Sequence, residues 1–326
     1  MFGATYTVSS NADDGSAGTL RWAITQANAN AGSDNIEFNI AGSTEGARTI
    51  RLTSILPSLQ DALVIDATTQ PNGAVFGVSD AMISITGTYT YCFQLSNSNI
   101  EIYGFYITGG FDYGIRSWSG SSKSDYIIGA ANKGNVITDC DDEAIYTWGD
   151  QNVTIKGNFI GLDPDGTTIS ANGEALRLNI EGPGYLNIGG ANAGEGNVIS
   201  GNGSSGIQVY ANGTDPNIDI TITNNIIGLD YTGTVAKGND DMGIYIANSS
   251  FNFNFYSSAT VIGNIVSDNG SYGDDAIRVT EAEDLVITNW KKGDAYIWDS
   301  EALHMSANGS IGDKLTMIIS GFYEDN

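Results

Sequence analysis

Short apolar segments recur along the chain about every 30 residues. Blocks that begin with Gly or Ala carry an apolar centre at Ile115, Ile145, Leu176, Ile207, Ile244 and Ile277. These centres lie 30, 31, 31, 37 and 33 residues apart. Polar and apolar residues alternate around each centre, which indicates short strands with one buried face.

Two further apolar blocks lie between these centres, always in the same order. One follows an Asn, as in "GNVI" at Gly134 and "GNFI" at Gly157, and the other appears as "YII" at Tyr126 and "VTI" at Val153. Gly, Asn, Asp and Ser separate the blocks, which is typical of turns. Three short strands per repeat predict an all-β solenoid: a single-stranded parallel β-helix of about eight to nine coils, in which each strand pairs with its counterpart one coil later.

The chain, 1–326, is predicted to form a single domain. Residues 49–100 hold the first coils, 100–290 the regular coils and 291–326 a closing segment with one or two further coils. Residues 18–32 carry the one helical signal, because four apolar residues fall on one face: Leu20, Ala23, Ile24 and Ala27. A solenoid must cover its open end, so this helix is expected to be an N-terminal cap.

Three segments carry a family resemblance: "YTVSSNADDGSAGTLRWAITQANAN" from Tyr6, "LVIDATTQP" from Leu63 and "GEGNVISGNGSSGIQV" from Gly194. They resemble the right-handed parallel β-helix repeat proteins of large bacterial secreted or surface proteins, and the resemblance covers most of residues 5–280. It implies a right-handed helix, an extracellular or cell-surface location and an adhesin-like role. Many members of that family carry a Cys-containing motif before the helix, whereas this chain has "GSAGTLRWAI" there.

The net charge of the chain limits the classes of partner that it can bind. Asp and Glu number 38 against 13 Lys and Arg, for a net charge of −25. Nucleic acid and anionic membrane surfaces bind basic proteins, so neither is an expected partner. The sequence has no run of 18 apolar residues, so no membrane span is predicted. One His and 2 Cys argue against His-based triads, zinc sites and a disulfide framework.

Side chains next to the apolar centres form a candidate glycan-binding surface. Positions one and three residues after each centre fall on the outer face of the same strand, and successive coils place them about 5 Å apart. Aromatic rings stack on sugar rings and guanidinium groups bind carboxylates, so a polysaccharide or cell-surface glycan is the expected ligand. Alternatively, the rings pack on one another with Arg lying over them. We call this surface the Arg/aromatic face: Arg116, Trp118, Tyr146, Trp148, Arg177, Tyr210, Tyr245 and Arg278.

Acidic residues precede the same strands and raise the alternative of an enzyme. Asp142, Glu143 and Glu174 form the densest group. Paired carboxylates beside a sugar groove serve glycoside hydrolysis, one as acid and the other as base or nucleophile. "DCDDEAI" and "GDDAI" resemble the Asp-Asp element of β-helical polygalacturonases, although the Gly-His-Gly and Arg-Ile-Lys elements of those enzymes are absent here. The structural alternative is that these acids occupy turns and bind local backbone amides.

A lyase would use a base beside a uronate carboxylate and a cation that stabilises the resulting charge. Tyr146, between Arg116 and Arg177, is the best placed candidate for the base. The catalytic residues stay unassigned, with Tyr146, Arg177, Asp142 and Glu174 as candidates.

A bound cation is a further hypothesis for the acidic group. Stacked carboxylates repel one another unless a cation bridges them, so Ca²⁺ is a candidate ligand of Asp142, Glu143 and Glu174. No other cofactor is expected.

Two recurring motifs have a structural interpretation. Asn residues at 135, 158, 197, 225 and 264 are expected to support bends and to bind the next coil. "IGLDPDGTT" at 160–168 begins like a calcium loop. Its second copy, "IGLDYTGTV" at 227–235, replaces Pro164 and Asp165 with Tyr231 and Thr232. Both copies are therefore expected to be tight turns.

Three functions follow from these patterns. The first is an extracellular structural or adhesin-like protein that binds surface glycans or partner copies of itself. The second is a polysaccharide lyase or glycoside hydrolase acting on acidic polysaccharide along the Arg/aromatic face. The third is a subunit of an extracellular filament or spike that associates end to end or by added strands.

Overall fold

Parallel strands make up most of the protein. The computed structural model describes residues 3–71, 75–117, 124–181, 183–212, 218–248 and 257–270, and short strands at 277–279, 284–288, 295–297, 305–307 and 316–320. Helices in this described part are few: α1 at Leu20–Ala29 and short 3-10 turns at Gly46–Arg48 and Ala67–Thr69. Most strands, numbered here in chain order, lie in three parallel sheets that we call A, B and C.

Each repeat contributes one short strand to each of the three sheets. Sheet A contains β1 Thr5–Val8, β2 Asp34–Phe38, β4 Leu63–Asp66, β7 Ile100–Tyr103, β10 Ser124–Ile128, the second half of β12 Glu143–Ile155, β15 Gly184–Gly189, β18 Ile218–Thr223, β21 Ser257–Ile262 and β24 Asp284–Thr288. Sheet B contains β3 Thr49–Arg51, β5 Ile83–Thr86, β8 Phe105–Thr108, β11 Val136–Ile137, β13 Phe159–Ile160, β16 Val198–Ile199, β19 Ile226–Ile227 and β22 Ile265–Val266. Sheet C contains β6 Tyr91–Leu95, β9 Tyr113–Ser117, the first half of β12, β14 Glu174–Glu181, β17 Ile207–Asn212, β20 Ile244–Asn248 and β23 Ile277–Val279.

The register confirms the predicted repeat. From β4 to β23 successive strands belong to sheets A, B and C in turn, and this order repeats. In sheet C the six apolar centres are direct partners in successive strands: Ile115, Ile145, Leu176, Ile207, Ile244 and Ile277. All six are buried, in one core cluster that extends from Val8 to Ile277. The result is an all-β, solenoid-like architecture.

The predicted helix is present and packs beside the first strands of the sheets. Thr19 caps α1, and its hydroxyl accepts a hydrogen bond from the backbone N–H of Trp22 at 3.3 Å. The four apolar residues of the predicted face are buried, and the helix packs against β1 and β2. Parallel pairing already begins there, because β1 pairs with β2 and β2 with β4. The stack therefore starts upstream of residue 49.

Two rows of Asn side chains, all buried except the partly exposed Asn269, run through the stack of strands. The predicted row is hydrogen-bonded from one member to the next at 2.8–3.0 Å: Asn135, Asn158, Asn197, Asn225 and Asn264. A second row, which the sequence analysis did not identify, is joined in the same way at 2.7–2.9 Å: Asn172, Asn202, Asn239 and Asn269. Each side chain also binds backbone groups of adjacent repeats, so the polar atoms of the bends are satisfied inside the protein.

The two "IGLD" segments are small hairpins, as predicted. Isolated antiparallel bridges join Leu162 to Ile169 and Leu229 to Ala236. In the second hairpin the Asp230 carboxylate accepts hydrogen bonds from the backbone N–H groups of Thr234 and Val235 at 3.0 and 3.1 Å. Carboxylates that bind backbone amides in this way stabilise turns. In the first hairpin Oδ1 of Asp165 accepts hydrogen bonds from the backbone N–H groups of Thr167 and Thr168 at 2.8 and 2.7 Å, so the calcium-loop likeness of this copy has a structural explanation.

The C-terminal strands correct one expectation. Residues 291–326 were expected to add one or two parallel coils. In the described strands of this segment, β25 (Ala295–Ile297) pairs antiparallel with β26 (Met305–Ala307), and β27 (Thr316–Ser320) pairs antiparallel with β24. Apolar alternation alone cannot distinguish the two directions of pairing, because both give a period of two.

Candidate functional site

The Arg/aromatic face lies on sheet C with the predicted register. Strand pairing aligns one row in successive strands: Arg116, Tyr146, Arg177, Gln208, Tyr245 and Arg278. A second row aligns Trp148, Asn179, Tyr210 and Ala247. Trp118 and the side chain of Arg278 lie outside the described residues. The remaining members lie on neighbouring strands of sheet C.

Arg116 is held by side chains of its own strand and of β6. Its guanidinium carbon lies 4.6 Å from the ring centroid of Tyr91 and 5.2 Å from that of Tyr113. Its Nε donates a hydrogen bond to Oε1 of Gln94 at 2.6 Å. The Tyr113 ring in turn lies 5.4 Å from the Tyr146 ring. In this part of the face, rings and guanidinium pack on one another, as the structural alternative expected.

Arg177 lies between two glutamates at the centre of the face. Glu143 and Glu174 are direct partners on β12 and β14. Nη1 of Arg177 is 3.5 Å from Oε1 of Glu143 and 4.0 Å from Oε2 of Glu174. The two carboxylates are about nine-tenths buried, whereas 44 % of the Arg177 side chain is exposed. One guanidinium thus serves both carboxylates and still faces solvent.

The burial of the glutamates changes their acidity. Burial raises the pKa of Glu174 to about 8, and the neighbouring charge of Glu143 adds to this, while Arg177 acts against it. The pKa of Glu143 is also raised, mainly by burial, and Arg177 again lowers it. Oε1 of Glu174 is buried and has no hydrogen-bond partner in the described part of the chain. The pair therefore holds one carboxyl that stays protonated near neutral pH.

The opposite flank of Arg177 carries a chain of hydrogen bonds. The guanidinium carbon of Arg177 lies 5.6 Å from the Tyr210 ring centroid, and the Tyr210 and Tyr245 rings are 5.8 Å apart. The Tyr210 hydroxyl donates to Oε1 of Gln208 at 3.0 Å. Gln208 Nε2 then donates to Ser205 Oγ at 3.2 Å, and Ser205 Oγ donates to Asp241 Oδ2 at 3.0 Å. These contacts fix the orientation of the Tyr210 ring.

Two predicted residues differ in their exposure to solvent. Trp148 is 40 % exposed, so part of its side chain can contact a ligand. Tyr146 is almost buried, and burial raises the pKa of its hydroxyl, which makes it a poor base at neutral pH. Asp142 is exposed and joins the repeats through its backbone, which donates to Asp112 O and accepts from Glu174 N.

The metal hypothesis gains no support from the geometry. In the part of the chain that the structure describes, His, Cys, Asp and Glu side chains do not gather in groups of three or more that could hold a metal ion. Arg177 already lies beside both carboxylates that the hypothesis assigns to calcium. Calcium binding by Asp142, Glu143 and Glu174 stays a prediction.

Sequence reasoning missed the tyrosines at the first strands of the face. Tyr91 and Tyr113 are direct partners on β6 and β9, and both contact Arg116. They stand two residues before the buried Phe93 and Ile115, so strict alternation predicts an inward direction for both tyrosines and gives no sign of their contact with Arg116.

No protein-family model matches the chain, and no curated protein matches it. Among the described residues, none of the helices has the length and apolar character that crossing a lipid bilayer requires.

Proposed function

We propose that the chain is an extracellular, adhesin-like protein that binds a polysaccharide or cell-surface glycan along the Arg/aromatic face. The main observation behind this proposal is the half-exposed guanidinium of Arg177, which lies over the Tyr210 ring. The exposed Trp148 lies on the same sheet. Aromatic faces stack on sugar rings, and a guanidinium donates several hydrogen bonds in one plane. Such a surface is suited to sugars that carry hydroxyl or carboxylate groups.

The proposed scaffold is a closed right-handed parallel β-helix, as the resemblance to the secreted β-helix repeat proteins implies. Its support is the recurring A, B, C order of the sheets and the parallel register of each. Closure would turn the other face of every sheet toward one core, consistent with the continuous cluster of buried residues.

The length of the face favours a chain of sugars over a single one. Arg and aromatic side chains follow one another on six successive strands of sheet C, from β6 to β20. At the usual strand spacing this row is roughly 24 Å long. Five side chains belong to this row or stand directly beside it: Tyr113, Arg116, Tyr146, Arg177 and Tyr210. A linear glycan parallel to the stack would contact several of them at once.

Binding to a glycan panel tests the proposal. Trp148→Ala and Arg177→Gln are each expected to weaken binding of the recognised glycan about tenfold or more, because each removes a solvent-facing contact. Tyr185→Ala is the matched control, since Tyr185 is an equally exposed aromatic residue on sheet A. If no glycan binds, or if Tyr185→Ala weakens binding as much as Trp148→Ala, the proposed surface is wrong.

A further inference from the structure

The outer face of sheet B carries a row of apolar side chains. Strand pairing makes five of them neighbours in successive strands: Tyr106, Val136, Phe159, Val198 and Ile226. Each stands one residue before a buried Ile of the core, so alternation turns it away from the core. An apolar row on an outer face is normally covered by another part of the chain or used for binding.

One segment of the chain covers the first part of this row. Phe76 and Ala81, which precede β5, pack with Val136 in a small apolar cluster. The same segment is held to the turn before β11, because the backbone N–H of Gly134 donates a hydrogen bond to Oδ2 of Asp80 at 3.1 Å. The cover of the row thus ends at a carboxylate.

Beyond Asp80 the row lines a cavity of about 500 Å³. Phe159, Val198 and Ile226 are its apolar lining, together with the chain at 191–194 and the side chain of Tyr231. The Phe159 and Tyr231 ring centroids are 6.5 Å apart, and 39 % of Tyr231 is exposed. Cavities of roughly 300–1,000 Å³ with a mainly apolar lining and few polar groups are typical of ligand sites.

Asp80 gives the cavity a negative charge without a counter-ion. It is the one ionisable carboxylate among the described residues that line the cavity. In the described part of the chain no Lys or Arg forms an ion pair with it, and its Oδ1 has no hydrogen-bond partner. Lys133, next to Gly134, binds Asp66 instead, at 2.6 Å. A carboxylate beside aromatic rings is a favourable site for a cation with an apolar stem.

We propose that this cavity binds a lysine side chain of a basic partner protein, independently of the glycan-binding face on sheet C. The ammonium group binds Oδ1 of Asp80, and the methylene stem lies on Phe159 and Val198 beside the Tyr231 ring. The four-carbon stem of lysine is about as long as the spacing between two strands, roughly 5 Å. The net charge of −25 attracts a basic partner.

The geometry of Asp80 favours lysine over arginine. A guanidinium binds a carboxylate best through both oxygens, whereas an ammonium is a point charge that needs only one. Oδ2 of Asp80 already accepts the hydrogen bond from Gly134, so Oδ1 is the oxygen left for the ligand.

Peptide titrations of the full chain test the proposal. The probe is acetyl-Gly-Lys-Gly-amide, and the amide NMR signals of Gly157, Gly194 and Gly196, which line the cavity, report its binding. We expect saturable shifts of these signals. The same peptide with an acetylated lysine should bind at least tenfold more weakly because it lacks the charge, and the arginine peptide should bind several-fold more weakly.

Variants of the cavity locate the contacts. Asp80→Asn keeps an acceptor for the Gly134 N–H but should bind the lysine peptide at least tenfold more weakly. Tyr231→Ala should bind it about threefold more weakly. Asp219→Asn is the matched control, because it removes the same charge from an exposed position on sheet A and should bind like wild type.

Three results would overturn the lysine site: no shifts at the cavity glycines of wild type, equal binding of the acetylated peptide, or equal losses for Asp80→Asn and Asp219→Asn. The first two need no variant, so they hold even if a substitution impairs folding. Equal or tighter binding of the arginine peptide would overturn the preference for lysine.

Discussion

Nδ2 of Asn197 donates a hydrogen bond to Oδ1 of Asn225, its counterpart in the next repeat, at 2.8 Å. Oδ1 of Asn197 accepts from the backbone N–H and Nδ2 of Asn158, and Nδ2 also donates to the Ile155 carbonyl. We expect Asn197→Ala to lower the free energy of unfolding by about 3 kcal/mol, because buried partners on both sides lose a hydrogen bond and gain no water. Urea unfolding measures the difference.

The control for this prediction is Asn35→Ala. Asn35 lies on β2 with its side chain exposed, so its replacement should change stability by no more than about 0.5 kcal/mol. A similar loss for Asn35→Ala and Asn197→Ala would show that the row of buried Asn residues contributes no more than any other Asn of the chain.

Glu174→Gln is expected to stabilise the protein in alkaline solution. The pKa of Glu174 is raised from 4.5 to about 8, so the folded state keeps a proton that the unfolded state loses between these values. The contribution of this carboxyl is fully present below about pH 4.5 and declines until about pH 8. Gln does not titrate, so the variant should be more stable than wild type by up to roughly 5 kcal/mol near pH 9 and about equal to it near pH 4.5.

Thermal unfolding across this pH range measures the effect. Glu37→Gln, which alters an exposed glutamate of β2, should follow the wild-type curve. A constant difference between Glu174→Gln and wild type at all pH values would refute a proton held by Glu174 in the folded state.

Arg177→Gln is expected to make the glutamate pair receptive to a metal ion. Without the guanidinium, Glu143 and Glu174 lose the positive charge that lowers both pKa values. We expect a loss of about 1 kcal/mol near pH 9, a moderate value because Arg177 is half exposed. Ca²⁺ should then raise the melting temperature of Arg177→Gln and leave that of wild type unchanged. Saturable stabilisation of wild type by Ca²⁺, reversed by chelation, would instead support the calcium site at Asp142, Glu143 and Glu174.

Asp230→Ala is expected to loosen the second hairpin. The Asp230 carboxylate binds two backbone N–H groups and the Thr232 hydroxyl, and these bonds lower its pKa. Its stabilising effect is therefore present above about pH 3.8 and is lost as the pH falls below that value. The substitution should lower the free energy of unfolding by about 1–2 kcal/mol and speed amide hydrogen exchange at Thr234 and Val235. Unchanged exchange at these two amides would contradict the prediction.

Much of the fold was predictable because its signals are local and repeated. The spacing of the apolar centres from Ile115 to Ile277 fixed which residues are partners in sheet C, and every one of these pairs is confirmed. The same register placed Tyr146 beside Arg177. Residue type and period are sufficient for this, because each strand of a parallel stack repeats the environment of the strand before it.

The features that the sequence did not predict depend on contacts that the spacing of the apolar centres does not encode. The second Asn row has a signal in the Asn that stands three or four residues before each apolar block, at Asn172, Asn202 and Asn239, but the abundance of Asn-Gly turns obscures it. The sequence put Asp142 and Glu143 together in one acidic group, whereas the structure leaves Asp142 exposed and places Glu143 beside Arg177, on the other side of the strand from the one that alternation predicts. The raised pKa of Glu174 depends on burial, which no spacing reveals.

The direction of the Asn hydrogen bonds gives the molecule a polarity. In both rows every Nδ2 donates to the Oδ1 of the following repeat, so all the side-chain dipoles point the same way along the stack. Two stacks related by a twofold axis would bring like ends together and could not continue either row. Any association that extends these rows from one copy to the next must be heterologous, and such contacts repeat along a line instead of closing into a dimer.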